Sequence, residues 1–190
     1  YNKAGHFKFK NQLTIDSNGD GVPDEADGII DPNDMVYIGN PHPDLTGGLN
    51  IDLAYGPLSL NMFFYGSYGN DMVNYVTRWI DYGMFNGGLS HKALYESWGS
   101  PYLRDNAKAK LPMLDQNDIS QQPSTAFVQD ASFLRFKTLR IGYSLPTKLV
   151  NKIQAKSLSI YAQVTNLFTL TKYEGLDPEL DSSGSYMGLD

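Results

Sequence analysis

The stretch GLNIDLAYGPLSLNMFFYGSYG, residues 48–69, alternates apolar and polar side chains on both sides of a Gly56-Pro57 pair. A period of two places successive side chains on opposite faces of a β-strand. A Gly-Pro pair between two such runs is typical of a tight turn. The stretch therefore predicts a β-hairpin, which we place at residues 45–68.

Each strand of this hairpin has one apolar face and one mixed face. The apolar faces comprise Leu49, Ile51, Leu53 and Tyr55 in the first strand, and Leu58, Leu60, Met62 and Phe64 in the second. Asn50, Asp52 and Asn61 belong to the opposite faces. The pattern predicts a sheet that separates two different environments.

The same alternation returns in FLRFKTLRIGYSLP, residues 133–146, and SLSIYAQVTNLFTL, residues 157–170. A basic connector, TKLVNKIQAK, separates the two runs, so we predict a second hairpin over residues 133–168. Its apolar face comprises Leu139, Ile141, Tyr143, Leu158, Ile160, Ala162 and Val164. Arg140, Tyr161 and Gln163 lie on the other face.

Residues 70–130 form a long connection without this alternation, apart from a helical turn predicted around SHKALYESW. Connections of this length usually carry function or are disordered. Its aromatic residues are Tyr75, Trp79, Tyr82, Phe85, Tyr95, Trp98 and Tyr102. They are suited either to stacking on sugars or peptides or to packing the loop, and Tyr75, Trp79, Tyr82, Trp98 and Tyr102 are our substrate-contact candidates.

The segment IDSNGDGVPDEADGIID, residues 15–31, begins a loop that we assign to residues 15–34, and it follows the spacing of a calcium loop. Calcium requires six to eight oxygen ligands. The pattern proposes Asp16, Asn18, Asp20, Val22 through its carbonyl, Asp24 and Asp27 as ligands of a structural calcium ion. Asp27 stands where Glu is usual, so the expected affinity is modest, and a solvated acidic turn without metal is the alternative. HFKFK, residues 6–10, predicts a short strand entering this loop.

Composition excludes several classes of function. The net charge of −6 and scattered Lys and Arg residues argue against nucleic acid as a partner. The chain has no Cys, and His6, His42 and His91 match no catalytic or metal motif, so we expect no enzyme activity. No apolar run reaches the length of a membrane helix, whereas a membrane β-barrel leaves only a weak hydropathy signal.

Four segments occur together in a recognisable order: NGDG (18–21), DGIIDPNDMVYIGNPHPDLTGGLNIDLAYGPLSLNMFFYGSYGNDMVN (27–74), FLRFKTLRIGYSLP (133–146) and LSIYAQVTNLFTLTKYEGLDPE (158–179). In this combination the chain resembles the C-terminal β-barrel portion of SusC/RagA-like TonB-dependent outer-membrane transporters. The acidic loop is longer than the usual family turn. The resemblance implies an all-β fold of antiparallel strands from a 22-stranded, plugged transmembrane barrel with long extracellular loops, here including residues 70–130.

The resemblance also implies a function and partners. Such transporters lie in the outer membrane of Gram-negative bacteria and import oligosaccharides or peptides with a SusD-like surface lipoprotein. Signal peptide, plug, TonB-contacting segment and closing strand are not recognised in the chain, so we expect a fragment that reaches TonB through other regions. The apolar faces would contact outer-membrane lipid, and Asn50, Asp52, Asn61, Arg140, Tyr161 and Gln163 would line the lumen.

The alternative from another class is a secreted calcium-binding β-sandwich that binds carbohydrate through its aromatic loop. It predicts a soluble, monomeric fold whose melting temperature rises with calcium, whereas the barrel interpretation predicts insolubility without detergent.

Overall fold

The structure, a computed structural model, describes residues 3–83, 88–115 and 122–179. These residues divide into two compact units. Unit 1 contains described residues from 3–39 and 73–128, and unit 2 contains those from 40–72 and 129–179. The predicted aromatic Phe85 and the end of the predicted acidic tail, residues 180–190, lie outside the described residues.

The strands are β1 (Leu45–Tyr55), β2 (Leu58–Tyr68), β3 (Asp71–Val73), β4 (Val128–Asp130), β5 (Phe133–Ser144) and β6 (Ser159–Thr171). The four long strands form one antiparallel sheet in the order β1-β2-β5-β6, and β3 pairs with β4 in a two-stranded sheet. Both long hairpins predicted from the sequence are therefore present. Gly56, with φ of 56°, provides the left-handed conformation that the β1-β2 turn requires.

The strand register aligns the apolar faces of all four long strands. Leu53 pairs with Leu60, which pairs with Ile141, which pairs with Ala162. Directly paired residues point to the same side of a sheet. Two neighbouring rows of paired residues lie on the same side of the sheet. They are Ile51, Met62, Leu139 and Val164, and Tyr55, Leu58, Tyr143 and Ile160. We call this side the apolar face and the opposite side the polar face.

A β-bulge in β5 changes which residues face each side. Between Phe136 and Thr138, Lys137 is an extra residue relative to β2. At the same point β6 has two residues, 166 and 167, opposite Lys137. Phe136 thereby joins the apolar face, where it stacks on Phe64 with ring centroids 4.4 Å apart. Arg135 moves to the polar face, which a regular strand would not have allowed. The sequence predicted the alternation from Thr138 onward but not this change of phase.

The connection between β5 and β6 contains helix α3 (Thr147–Val150) and a 3₁₀ turn (Asn151–Ile153). Pro146 precedes α3, and Gln154 ends the turn with φ of 57°. Val150 is fully buried, which anchors the connection. The predicted connector is thus a compact turn, and the strand ends differ from prediction by only a few residues.

Unit 1 is built on two short helices and an aromatic core. Helix α1 (Tyr75–Ile80) is capped by Asn74, and helix α2 (His91–Glu96) is capped by Ser90. Each cap side chain accepts a hydrogen bond from the backbone N–H of the residue three positions later. Helix α2 confirms the predicted helical turn, whereas α1 was not predicted. The core residues are Tyr82, Ala93, Leu111 and Phe127, with Phe7 and Val73 packed against them.

The prediction of a strand at HFKFK was wrong, because residues 6–10 form no strand in the structure. Instead, Phe7 packs its ring 5.5 Å from that of Tyr82 and 6.5 Å from that of Phe127. Alternating Phe and Lys residues satisfy a period of two, but a strand also needs a hydrogen-bonding partner.

The architecture differs from that of a sandwich. All four long strands of the described residues belong to a single sheet, whereas a sandwich divides its strands between two facing sheets. Among the described residues, no helix is both long and apolar enough to cross a membrane.

Candidate functional site: the polar face of the sheet

The polar face carries a row of four polar residues, one from each long strand. Asp52 in β1 pairs with Asn61 in β2, Asn61 pairs with Arg140 in β5, and Arg140 pairs with Gln163 in β6. These are the residues that the alternation placed on the non-apolar faces, and the register brings them into one line. We call this set the polar row.

The β1 end of the polar row is an amide and carboxylate network. The Asn61 side-chain amide donates to Asp52 Oδ1 at 2.6 Å and to Asn50 Oδ1 at 3.0 Å. The Asn50 amide in turn donates to Asp52 Oδ2. Within the described residues no cation pairs with Asp52, so this end of the row is negative.

The other end of the polar row carries a stacked cation. The guanidinium carbon of Arg140 lies 3.9 Å from the ring centroid of Tyr161. Tyr161 pairs with Gly142, two residues along β5 from Arg140, so this contact runs diagonally across two strands. Both side chains remain exposed.

Nearer the start of β5, a second arginine is enclosed by acidic groups. Arg135 donates to Asp177 Oδ1 at 2.5 Å, to Glu179 Oε2 at 2.6 Å and to Thr169 Oγ1 at 2.8 Å. Lys137, the bulge residue, also pairs with Glu179. We call Arg135, Lys137, Asp177 and Glu179 the ion cluster; it holds the segment after β6 against the polar face.

The segment that supplies these carboxylates is held by further hydrogen bonds. The backbone N–H of Glu174 donates to the side-chain oxygen of Gln129, and that of Tyr173 donates to Thr171 Oγ1. The Asp177 carboxylate also accepts the N–H of Glu179. Residues 172–179 are therefore an ordered part of unit 2.

Sequence reasoning did not identify the ion cluster as a site. Its members are separated by as many as 44 residues along the chain. The bulge that places Arg135 on the polar face coincides with two consecutive polar residues, Lys137 and Thr138, which shift the alternation by one position. The available signals were the acidic motif LDPE, residues 176–179, and the cations Arg135 and Lys137 in β5.

The candidate aromatic residues of the long connection occupy different environments. Tyr82 is only 8% exposed and belongs to the core of unit 1, so packing accounts for its ring. Trp98 is partly buried over Gly5, where a Cβ atom would lie 2.5 Å from its ring. Tyr75 lines a cavity of about 20 Å³, which accommodates roughly one water molecule.

Trp79 and Tyr102 are the exposed members of the candidate set, at 51% and 58%. The ring of Tyr102 packs against that of Tyr95, and the ring of Tyr95 against that of His91, in tilted contacts with centroid separations of 5.2 and 4.3 Å. The sequence prediction included neither His91 nor Tyr95 among the substrate candidates. Their spacing of four residues on helix α2 was the signal for a shared face.

The acidic loop is a closed turn in unit 1. Backbone hydrogen bonds between Ile15 and Glu25 join its ends. Gly19 and Gly21 have φ of 78° and 86° and donate their N–H groups to the two Asp16 carboxylate oxygens. These bonds, chiefly that from Gly21, lower the pKa of Asp16.

The other proposed calcium ligands also accept backbone hydrogen bonds. Asn18 accepts from Asp20, Asp20 from Val22, Asp24 from Ser17, and Asp27 from Ile29. Asp27 lies beyond the Ile15–Glu25 closure. Among the described residues, no three His, Cys, Asp or Glu side chains are grouped to hold a metal ion. The oxygen donors are of the type that calcium prefers, so calcium binding stays a prediction.

The chain is similar in sequence and in structure to known proteins. No family model matches the chain. Among curated proteins, TonB-dependent receptor P3 of Formosa agariphila is 32% identical over 87% of this chain and 16% of its own length. TonB-dependent receptor SusC of Bacteroides thetaiotaomicron is 29% identical over 94% of the chain and 17% of its own length.

Among solved structures, the RagAB peptide transporter matches 72% of this chain at 30% identity with a TM-score of 0.58. The RagAB peptide importer in its open-open state matches with 32% identity and a TM-score of 0.54. Each match covers 14% of the solved chain. The chain thus spans about one sixth of the length of the curated relatives it matches.

The ion cluster generates a prediction about pH. Arg135 lowers the pKa of Asp177 below its ordinary 3.8, chiefly through their hydrogen bond. A lowered carboxyl pKa adds stability above pH 3.8 that is lost as pH falls through the folded pKa. Because Asp177 is 40% exposed, we expect Asp177→Asn to cost about 1 kcal/mol of local stability at pH 7.

Hydrogen exchange of residues 172–179 from pH 3 to pH 7, corrected for intrinsic rates, measures this cost. The difference in exchange protection between the native protein and the variant should disappear below pH 3.8. Asp105→Asn is the matched control, because Asp105 caps a turn that Asn also caps. A difference in exchange protection that is the same at every pH would contradict the role assigned to the Asp177 charge.

Calcium titration of the detergent-purified protein by calorimetry tests the acidic loop. We expect a dissociation constant of about 10⁻⁴–10⁻³ M, typical of weak extracellular sites, and loss of binding in Asp20→Asn. Asp105→Asn again serves as control. No heat of binding at millimolar calcium would assign the loop to the solvated acidic turn.

Proposed function

From the relation of this chain to SusC/RagA-like TonB-dependent receptors, we propose that it contributes a segment of the barrel wall of an outer-membrane nutrient importer. The single observation that carries the proposal is the apolar face, which runs without interruption across all four long strands. Leu53, Ile160 and Val164 are each more than half exposed on it. An exposed apolar surface of this extent requires a lipid or protein partner.

Lipid is the partner that the pattern favours. In a membrane barrel, outward residues are apolar, inward residues are polar, and all backbone groups are paired between strands. The apolar face and polar row follow this division residue by residue. The polar face would accordingly line the lumen, with Asn50, Asp52, Asn61, Arg140, Tyr161 and Gln163 along the transport path.

Aromatic residues support the same orientation. Tyr55 and Tyr143 lie on the apolar face at the end beside the Gly56-Pro57 turn, and Tyr68 lies on it at the opposite end. Aromatic girdles at both interfaces are a feature of outer-membrane barrels. β1 and β2 have 11 residues each. This is the length of a tilted strand that crosses the bilayer, so the tyrosines at the two strand ends would lie near the two interfaces.

The edges of the sheet require further strands. β1 and β6 are the outer strands in the observed order, and an open edge is not tolerated within lipid. We propose that both edges continue into a barrel of the family's size, 22 strands. The turn between β1 and β2 would face the periplasm, and the connection of residues 70–130 would be a long extracellular loop.

The partners follow from this orientation. Unit 1 would present its exposed aromatic residues, including Trp79 and Tyr102, toward substrate or toward a SusD-like surface lipoprotein. Energy would reach the barrel from TonB through regions other than this chain. The solved relatives are peptide transporters by name, which favours oligopeptides over oligosaccharides as cargo. The relatives are receptors and transporters, in agreement with a function other than catalysis.

The lipid assignment predicts unequal effects of arginine at two adjacent positions in β6. Val164→Arg places a charge on the apolar face and should cost about 2–4 kcal/mol near the bilayer midplane. Gln163→Arg places the same side chain on the polar face and should cost little. The two variants are compared by the amount of each protein in the outer membrane and by its free energy of unfolding.

Equal assembly and stability of these two variants would reject the lipid face. Recovery of the native protein in soluble form outside the cell would also reject the outer-membrane assignment.

Import predicts that uptake depends on this protein and on TonB. Cells with and without its gene, and cells lacking TonB, are given a labelled oligopeptide pool or a labelled neutral oligosaccharide pool. We expect peptide uptake to fall severalfold or more in both deletion strains. A neutral-oligosaccharide defect alone would change the cargo class, and the absence of any defect would reject the importer function.

A further inference from the structure

We propose that Arg140, supported by Tyr161, binds the carboxylate of an oligopeptide as it passes along the polar face. This inference rests on the proposed import function and adds a specificity-determining residue to it. The observation behind it is the difference between the two arginines that β5 presents on the same face.

Arg135 is already neutralised, whereas Arg140 is not. Arg135 is only 9% exposed and contacts two carboxylates. Arg140 is exposed, and among residues 3–83, 88–115 and 122–179 no carboxylate lies within ion-pair distance of it. Its charge is available to an external anion.

Tyr161 positions this cation without consuming its hydrogen-bonding capacity. The guanidinium lies over the ring at 3.9 Å, and a ring face attracts a cation through its quadrupole. The N–H groups of a guanidinium lie in its plane and form a fork that matches a carboxylate. Stacking therefore reduces the freedom of the side chain while leaving donors for a ligand.

A glycine beside Arg140 leaves the surface between Arg140 and Tyr161 free of a side chain. Gly142 pairs directly with Tyr161, and a Cβ atom at Gly142 would lie 2.5 Å from Ser59 Oγ. Glycine at this position leaves the diagonal between Arg140 and Tyr161 clear of a side chain. On the other side of Arg140, its direct partner in β2 is Asn61, whose amide donates to Asn50 and Asp52 and so connects Arg140 to the negative end of the polar row.

The opposite end of the polar row distinguishes a peptide from a simple anion. Asp52 is negative and lies two strands from Arg140, a separation of roughly 10 Å at 4.8 Å per strand. A short extended peptide has an ammonium group and a carboxylate at about that separation, since each residue spans about 3.3 Å. An acidic oligosaccharide would be repelled at Asp52, and a neutral one would use neither charge.

Uptake of labelled trialanine and of its C-terminal amide, by cells expressing the protein from its native locus, tests the proposal. The two probes differ in the carboxylate. In native cells we expect the free acid to be taken up at lower concentration than the amide. Arg140→Gln should raise the half-saturating concentration of the free acid about tenfold or more, because a charge-assisted pair is lost, and leave the amide unchanged.

Two further variants separate charge from positioning. Arg140→Lys keeps the charge without the fork and should give an intermediate loss, and Tyr161→Leu should give a severalfold loss for the free acid only. Arg104→Gln is the matched control, because Arg104 is an exposed arginine of unit 1 and belongs to none of the strands. Uptake is normalised to the amount of folded protein in the outer membrane.

The outcomes separate this inference from the function on which it rests. Equal loss for acid and amide in Arg140→Gln, or no loss for either, would overturn the carboxylate site while leaving gene-dependent import intact. Peptide uptake that does not depend on the gene would overturn the import function and the site together.

Discussion

The hydrogen-bonded register of the four long strands is the constraint on which the rest of unit 2 depends. A strand alternates its side chains between two faces, so a slip of one residue exchanges the faces completely. In the observed register Leu60 lies between Leu53 and Ile141, and Asn61 lies between Asp52 and Arg140. One set of backbone hydrogen bonds therefore creates the apolar face and the polar row together.

The bulge at Lys137 changes which residues of β5 lie on the apolar face and which on the polar face. Beyond the bulge Phe136 stacks with Phe64 on the apolar face, and Arg135 turns toward Asp177 and Glu179. Without the extra residue, Phe136 would lie among the polar groups and Arg135 on the apolar face, where an arginine is costly. The ion cluster therefore depends on the bulge as much as on its charges.

Unit 1 is organised by packing and capping, with no extended sheet to set its geometry. Asn74 and Ser90 begin the two short helices, and Tyr82 and Phe127 pack edge to face with centroids 4.8 Å apart. Helices of six residues are too short to be stable alone, so their stability must come from this core. The aromatic residues of the connection thus serve two roles, since Tyr82 is needed inside and Trp79 and Tyr102 remain exposed.

The sequence by itself determined the long strands, the two hairpins and the membership of each face, because a period of two is a local property that a few consecutive residues reveal. It also indicated the family, through segments whose order survives sequence divergence. Only the tertiary structure decided that Phe7 packs in a core instead of a strand and that, within the described part of the chain, Arg135 is paired with carboxylates while Arg140 is not. These features depend on partners that are distant along the chain: Arg135 and Glu179 are 44 residues apart, and Phe7 packs against Phe127. Local sequence patterns do not reveal which distant groups folding will bring together.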